Sequence, residues 1–283
     1  MTQLFEQFKM GEKHQDNDPK CPFCPQQTNE EHYKTYGGAA NDGDKLGRLL
    51  DEPEKFGTST EPDARPKDGK PGKDGRINQS FLGSESLKSV KGEDKDWKFQ
   101  AHHAISGNQC LKNDDVETYI IEGGKVKYDT GYSVNNPQNG IWLPSFPEAG
   151  VAWPQDPSKK FELAKVAMKK FERQFHLGHH NISIDADGLD QETDSKYTDY
   201  IAMCLKELHT VLSNWEVHCP QKTSDGKHVG NPQIHNALDH ISKHIIALLK
   251  GSPEKWTIYV SRHARDWTIK SRDPNSKLDF EKK

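Results

Sequence analysis

The sequence predicts an α+β protein with an irregular N-terminal region, and three observations support this. Polar and apolar residues alternate over residues 97–105, which is the period of a half-buried strand. Apolar residues recur at helical spacing over residues 157–175, 197–218 and 234–250. Residues 37–80 are instead dense in Gly, Asp, Lys and Pro, a composition that cannot bury enough surface to offset its ordering entropy.

Shorter patterns predict three further elements. The apolar residues around Gly123 and Gly124 predict a hairpin over residues 118–128. Residues 139–143 predict a short strand that stops at Pro144, because proline lacks an amide hydrogen. A last strand is predicted over residues 256–260.

Composition limits the size of the core and the classes of partner. Only 32% of the 283 residues are hydrophobic and the mean hydropathy is -0.97, so we expect a modest core. The net charge of -4 does not mark a nucleic-acid-binding protein, although a local basic face would suffice to contact phosphates. The five cysteines are an odd number, which is not the pattern of a disulfide-stapled secreted domain.

The N-terminal end predicts the cellular location. It lacks the charged and apolar regions of a signal peptide, and no apolar run approaches the ~20 residues of a membrane span. We therefore expect a protein made in the cytoplasm, with no membrane partner, which is secreted, if at all, without a cleaved signal.

We divide the chain into an N-terminal delivery or linker region, residues 1–95, and a main domain, residues 96–283. Two interpretations apply to Cys21 and Cys24, the cysteines of a C-x-x-C motif. With His14 and His32 nearby they are candidate ligands of a small structural zinc site. The alternative, which we prefer at this point, is a pair of reduced cysteines in a flexible arm.

The histidines supply the chemistry. His102 and His103 are neighbours on a predicted strand, so their side chains point to opposite sides and have different roles. One imidazole can bind a cation, and the other can take a proton from water, because an unperturbed pKa of ~6.5 suits a general base. His176 and His180 are four residues apart, which on a helix places both on one face and lets them bind one ion. His179 is also within one turn of His176, so spacing alone allows either pairing.

Together, the Ala101-His102-His103 motif, residues 139–144 (Asn-Gly-Ile-Trp-Leu-Pro) and residues 176–180 (His-Leu-Gly-His-His) resemble the AHH family of bacterial toxin nucleases. That family belongs to the HNH/endonuclease VII superfamily. The resemblance covers roughly residues 98–212. It implies a ββα-metal finger, here embedded in a mainly helical domain.

The resemblance also implies residue roles. His102, His176 and His180 would bind one divalent metal ion, Zn²⁺, Mg²⁺ or Ni²⁺. His103 would be the general base, and Asn139 would brace the loop and help to orient it. Family members have a tyrosine soon after the last histidine. Here Tyr197 and Tyr200 are additional candidates, separated from His180 by an acidic insertion.

The implied function is a metal-dependent endonuclease toxin that hydrolyses DNA in competitor bacteria. It implies a cognate immunity protein, and residues 1–95 would dock on a secretion-system carrier or a chaperone. An RNase toxin with the same site is the first alternative. A non-catalytic metal-binding adaptor of a secretion system is the second, and it would have no use for His103.

Overall fold

The computed structural model describes residues 4–6, 14, 18, 21–24, 40–51, 69–71, 77–79, 87–88, 94–95, 97–147, 154–176, 197–229 and 233–278. The α-helices in these ranges are α1 (Gly43–Asp51), α2 (Pro157–Phe171), α3 (Tyr197–His218), α4 (Gln233–Leu249) and α5 (Arg262–Arg272). The strands are β1 (Gly69–Pro71), β2 (Ile77–Gln79), β3 (Leu87–Lys88), β4 (Asp94–Lys95), β5 (Trp97–His103) and β6 (Gly140–Pro147). This mixture confirms the predicted α+β class.

The central element is an antiparallel sheet in the order β1-β2-β5-β6, and β3 and β4 form a separate antiparallel pair. The predicted strand over residues 97–105 is confirmed as β5. Its partner β6 continues through Pro144 to Pro147, so the predicted stop at Pro144 is wrong. β6 lies at the edge of this sheet, where the missing amide hydrogen of proline is tolerated.

Alternation along the β5–β6 pair divides the apolar core in two. Ile141 and Leu143 pack into a cluster with the buried faces of α3 and α4. Phe99 and Trp142 project to the other side and pack with α1, α2 and the start of α5. The β5–β6 pair is therefore covered on both faces, and Phe99, His102 and His103 of β5 are all buried.

Helix α1 and strands β1 and β2 lie inside residues 37–80, the stretch that the composition predicted to be linker, and for these three elements that prediction is wrong. Leu46 and Leu50 are buried against β6. A Cβ at Gly140 would lie 2.8 Å from Leu46 Cδ1 and 3.0 Å from Leu50 Cδ1, so the strand carries a glycine where the helix approaches. Two leucines four residues apart suffice to anchor the helix, although the surrounding composition is polar. The division at residue 95 stays a prediction.

The three predicted long helices are present, with one shortened end. α3 has the predicted bounds, and α4 lies within one residue of them and is followed by Gly251 at φ 85°. α2 begins at an N-cap, Asp156, but ends at Phe171 rather than at residue 175. Glu172 adopts the left-handed conformation at φ 50°, which stops the helix there.

Two predicted β elements are wrong. Residues 115–119 form a 3-10 helix, Asp115–Tyr119, and the following turn folds back so that Lys125 N–H donates to the Thr118 carbonyl at 2.6 Å. Residues 256–260 belong to none of the strands in the described ranges. The Gln174 side chain contacts this segment, donating to Ile258 O at 2.7 Å and accepting from Val260 N at 3.0 Å. One side-chain amide thus replaces the strand partner that the apolar pattern predicted.

No helix within the described ranges is both long enough and apolar enough to cross a membrane.

The packing of α1 predicts how much stability is lost when one of its buried side chains is shortened. Leu46→Ala removes a side chain with 0% exposure and should lower the free energy of unfolding by about 2–5 kcal/mol. Arg48→Ala, on the exposed side of the same helix, is the control and should change it by less than about 0.5 kcal/mol. Chemical denaturation measures both. Equal, small effects would mean that α1 is not part of the folded core.

His263, near the start of α5, predicts a pH dependence of stability. Burial lowers the pKa of this imidazole from 6.5 to about 4, and the charges of Arg262 and Lys160 contribute to the lowering. As pH falls below 6.5, the unfolded chain takes up a proton that the folded chain does not, so stability decreases towards pH 4. His263→Gln should therefore reduce the loss of unfolding free energy between pH 7 and pH 5 by about 2 kcal/mol. Denaturation at the two pH values tests this, and an unchanged difference would contradict it.

Candidate metal and general-base site

His102 lies on the face of β5 that points towards α3. It pairs with Ile141 across the sheet and is 2% exposed. Its Nε2 lies 2.9 Å from the hydroxyl of Tyr197, the first residue of α3. The same hydroxyl lies 2.7 Å from the Ala104 carbonyl, to which it donates. Because the single hydroxyl proton is used there, Nε2 of His102 is the donor to Tyr197, and the ring lone pair lies on Nδ1.

His176 lies beside His102, but not on a helix as predicted. It follows the left-handed end of α2 in extended chain, and its N–H donates to the Pro144 carbonyl at 2.7 Å. Its Nδ1 donates to Gln100 Oε1 at 2.6 Å, which leaves the lone pair on Nε2. Gln100 and His102 are two residues apart on β5 and so share a face. This face positions both imidazoles.

His179 and His180 lie outside the described residues. Their predicted place on the same metal therefore stays a prediction.

The two imidazoles fit a shared cation. The ring centroids of His102 and His176 are 5.2 Å apart, with an interplanar angle of 66°. Two imidazoles on one tetrahedral ion, with metal–nitrogen bonds of about 2.1 Å, have centroids about 5 Å apart. Edge-to-face rings pack at a similar separation without an ion. The hydrogen bonds are therefore stronger evidence for a metal site than the ring separation. They set a tautomer in which each ring has one basic nitrogen, as a metal ligand requires.

His103 projects from the opposite face of β5 and has a different partner. Its Nε2 donates to Asn135 Oδ1 at 2.8 Å, and the ring is 8% exposed. The Asn135 amide is itself fixed, since it donates to Ala40 O at 2.9 Å and accepts from Asp42 N at 2.8 Å. The lone pair of His103 is thus placed on Nδ1.

Burial keeps the His103 imidazole neutral. It lowers the pKa of His103, and the opposing contributions of the Asn135 hydrogen bond and of the Asp42 charge are smaller. A neutral imidazole with a defined tautomer can accept a proton at Nδ1.

Asn139 braces the loop after β5. Its Oδ1 accepts from Ile105 N at 2.7 Å, and its Nδ2 donates to Ile105 O at 2.9 Å and Val134 O at 2.8 Å. Ser242 of α4 donates to the same Oδ1 at 2.9 Å. The asparagine that contacts the ring of His103 is Asn135, whereas Asn139 contacts the backbone of the loop, and its role in orienting the base stays a prediction.

The two candidate tyrosines have different positions. Tyr197 contacts His102, and burial raises its pKa well above the ordinary value, so it remains a hydrogen-bonding phenol. The Tyr200 hydroxyl lies 2.8 Å from His244 Nε2 on α4. Of the two, Tyr197 belongs to the site.

Two residues of the site were missed by sequence reasoning. Gln100 precedes the histidine pair by one strand repeat, a spacing that could have drawn attention to it. Asn135 lies in an asparagine-rich segment, residues 135–139, but its contact with His103 spans 32 positions of chain. Nothing local identifies such a partner.

The C-x-x-C motif has partners of its own. Cys21 and Cys24 lie together with His14 and with Cys219, which follows α3. His32, the other histidine considered from the sequence, lies outside the described residues.

Comparison with protein families identifies the family of the chain. A model described as a nuclease family of the HNH/ENDO VII superfamily with conserved AHH matches residues 84–237, which is more than half of the chain. The matched range contains Ala101-His102-His103 and both strands of the β5–β6 pair. No curated protein and no solved structure shows significant similarity to the chain.

The contact between Gln100 and His176 predicts a role in metal affinity. Gln100→Leu removes the acceptor that fixes the tautomer of His176 and should raise the divalent-ion concentration for half-maximal nuclease activity by about 10–100-fold. Gln100→Glu keeps an acceptor oxygen and should raise this concentration far less. Metal titrations of nuclease activity measure this, and equal values for all three proteins would exclude the role.

Proposed function

We propose that this chain, which belongs to the AHH nuclease family of the HNH/endonuclease VII superfamily, cleaves DNA with one divalent metal ion held by His102 and His176. Family membership makes the chain a phosphodiester-hydrolysing endonuclease and its substrate a nucleic acid. The observation that carries the site assignment is the pair of hydrogen bonds with Tyr197 and Gln100, which set the tautomers of His102 and His176 where their ring centroids lie 5.2 Å apart.

The proposed ligands are His102 Nδ1 and His176 Nε2, with His180 as a third. Nucleases of this superfamily typically use a divalent metal, and the tautomers set by Tyr197 and Gln100 suit nitrogen coordination. When bound, the ion supplies positive charge for a non-bridging phosphate oxygen and the leaving oxygen. The candidate ions for this proposed set of ligands are Zn²⁺, Mg²⁺ and Ni²⁺.

The proposed general base is His103. Burial favours its neutral form, and Asn135 holds the ring by Nε2 so that Nδ1 can take a proton from water. His103 is the last residue of β5, so the proposed substrate position is at that end of the strand. A phosphodiester lying there would have His102 on one side and His103 on the other. Asn139 supports this arrangement by fixing the loop that begins at Ala104.

A basic surface on α2 supports a polyanionic substrate. Lys159, Lys169 and Lys170 are exposed, and the last two lie at the end of the helix that leads to His176. Arg173 follows, and it donates to the Trp142 carbonyl at 2.9 Å, which holds it beside β6. Lysines along such a helix contact phosphates without reading sequence. They favour a nucleic acid despite the net charge of -4 of the whole chain.

The toxin role is the second part of the proposal. It is supported by the resemblance of residues 101–103, 139–144 and 176–180 to bacterial toxin nucleases. In this proposal the nuclease acts in the cytoplasm of competitor bacteria, a cognate immunity protein protects the producer, and residues 1–95 engage a secretion carrier or chaperone.

Expression in a bacterium without the immunity protein should arrest growth and fragment DNA. Growth arrest with intact DNA and degraded RNA would favour an RNase toxin instead.

The chemistry predicts the effect of removing the base. His103→Ala should lower the rate of plasmid nicking by about 10²–10⁴-fold without weakening metal affinity to the same extent. His209→Ala, on α3, is the matched control and should retain wild-type nicking. Full activity of His103→Ala would contradict the assignment and favour a base elsewhere.

Adding a chelator to the same assay tests whether nicking requires a metal ion. Nicking should cease in a chelator and return when a single kind of divalent ion is added, whereas equal activity in chelator would exclude the metal mechanism. Supplying single-stranded RNA and plasmid DNA in parallel separates the two substrate classes.

A further inference from the structure

A second group of metal-binding side chains lies away from the proposed active site. His14, Cys21, Cys24 and Cys219 each offer one ligand atom, and these four atoms lie within 4.8 Å of one another. All three cysteines are buried, with exposures of 0–2%, and His14 is half-buried. No disulfide links them. We propose that these four residues bind a structural zinc ion that fastens the N-terminal segment to the end of α3.

The distances within this group match a tetrahedron of zinc ligands. Cys24 Sγ lies 3.4 Å from His14 Nε2 and 3.9 Å from Cys219 Sγ. With bonds of about 2.3 Å to sulfur and 2.0–2.1 Å to nitrogen, the edges of a zinc tetrahedron are about 3.8 Å for two sulfurs and about 3.5 Å for sulfur and nitrogen. Both observed separations lie close to these edges. The 3.9 Å between the Cys24 and Cys219 sulfurs also far exceeds the ~2.05 Å of a disulfide bond.

The ligand types favour zinc over other metals. Three thiolates and one imidazole form a common structural zinc set, and C-x-x-C spacing brings two sulfurs to one ion. Mg²⁺ and Ca²⁺ prefer oxygen ligands, which this group does not provide. The four protein ligands fill a tetrahedral shell and leave no position for substrate, so the site is structural rather than catalytic.

Local electrostatics supports a bound cation. Phe23 N–H points to Cys21 Sγ at 3.4 Å, a contact that favours a thiolate. A divalent cation at the centre would balance the charge of buried thiolates and make the cluster favourable.

Aromatic contacts hold the segment in the same place. The His14 ring packs edge-on against Trp215 of α3 with centroids 5.5 Å apart. Phe23 stacks on His228 at 4.3 Å and an interplanar angle of 20°. Phe23 is 2% exposed and also packs against Tyr119, with centroids 5.8 Å apart. A metal that joins positions about 200 residues apart closes a very long loop and adds to the stability that these contacts provide.

The proposed zinc is separate from the active site. Tyr197, which contacts His102, begins α3, and Cys219 follows its last residue. A helix of 22 residues is about 33 Å long, so the two sites lie at opposite ends of it. The inference therefore does not depend on the proposed nuclease mechanism.

Cobalt substitution and zinc analysis test the proposal on the full-length protein. The purified protein should retain tightly bound zinc through dialysis, and its cobalt form should show a strong sulfur-to-metal charge-transfer band. Cys219→Ala should lose one bound zinc per chain and weaken that band. Cys204→Ala, which removes a buried cysteine within α3, is the matched control and should keep both. His176→Ala should also keep the sulfur band, which assigns it away from the active site.

A second variant covers the case in which Cys219→Ala fails to fold. Cys219→His retains four ligands and should keep the zinc, with a weaker charge-transfer band because one thiolate is lost. A wild-type cobalt spectrum without a sulfur band, or bound zinc in Cys219→Ala equal to that of Cys204→Ala, would overturn the proposal. So would a disulfide between any two of the three cysteines in protein purified under reducing conditions.

Discussion

The pairing of β5 with β6 positions everything around the candidate site. The register places His102 opposite Ile141 and His103 opposite Gly140, so consecutive imidazoles enter different environments. On one face, Gln100 and His102 meet α3 and the segment after α2. On the other, His103 meets Asn135 beside α1. A shift of one residue would exchange the two faces and bury each histidine among the wrong partners.

Each imidazole in this arrangement is fixed by a neutral hydrogen-bonding partner. Tyr197, Gln100 and Asn135 hold His102, His176 and His103 respectively, and none of the three partners carries charge in its ordinary state. These three hydrogen bonds therefore orient the rings without adding a negative charge that would favour the protonated form. Burial acts in the same direction on His103. Neutral imidazoles serve as metal ligands and general bases, so these neutral hydrogen-bond partners suit the proposed chemistry of the site.

Helix α3 connects the candidate site to the cysteine cluster. Its first residue contacts His102, and the residue after its last turn belongs to the cysteine cluster. Between them, one face of the helix is buried in the larger apolar cluster, through Leu205, Leu208 and Leu212 among others. Anchoring the far end of such a helix limits its movement at the near end, where Tyr197 fixes the tautomer of His102.

The sequence by itself determined the class of fold, the strand carrying the histidine pair, and the bounds of α3 and α4. Periodicity specifies these because each is a regular element with one buried face. It also identified His102, His103 and His176 as candidates, since imidazoles at such spacings are few. Where the sequence predictions failed, the structure depends on contacts between residues that are far apart in the chain. Helix α1 depends on two leucines that pack on Gly140, and the extended segment at residues 256–260 depends on Gln174.

Tertiary structure alone decided which side chains meet. The contact of His103 with Asn135 spans 32 positions, that of His102 with Tyr197 spans 95, and that of Cys24 with Cys219 spans 195. Local pattern carries no information about such separations, because a side chain's partner depends on how whole elements pack. For this reason Cys21 and Cys24 alone seemed a flexible pair. Folding brings them to a third thiol and an imidazole.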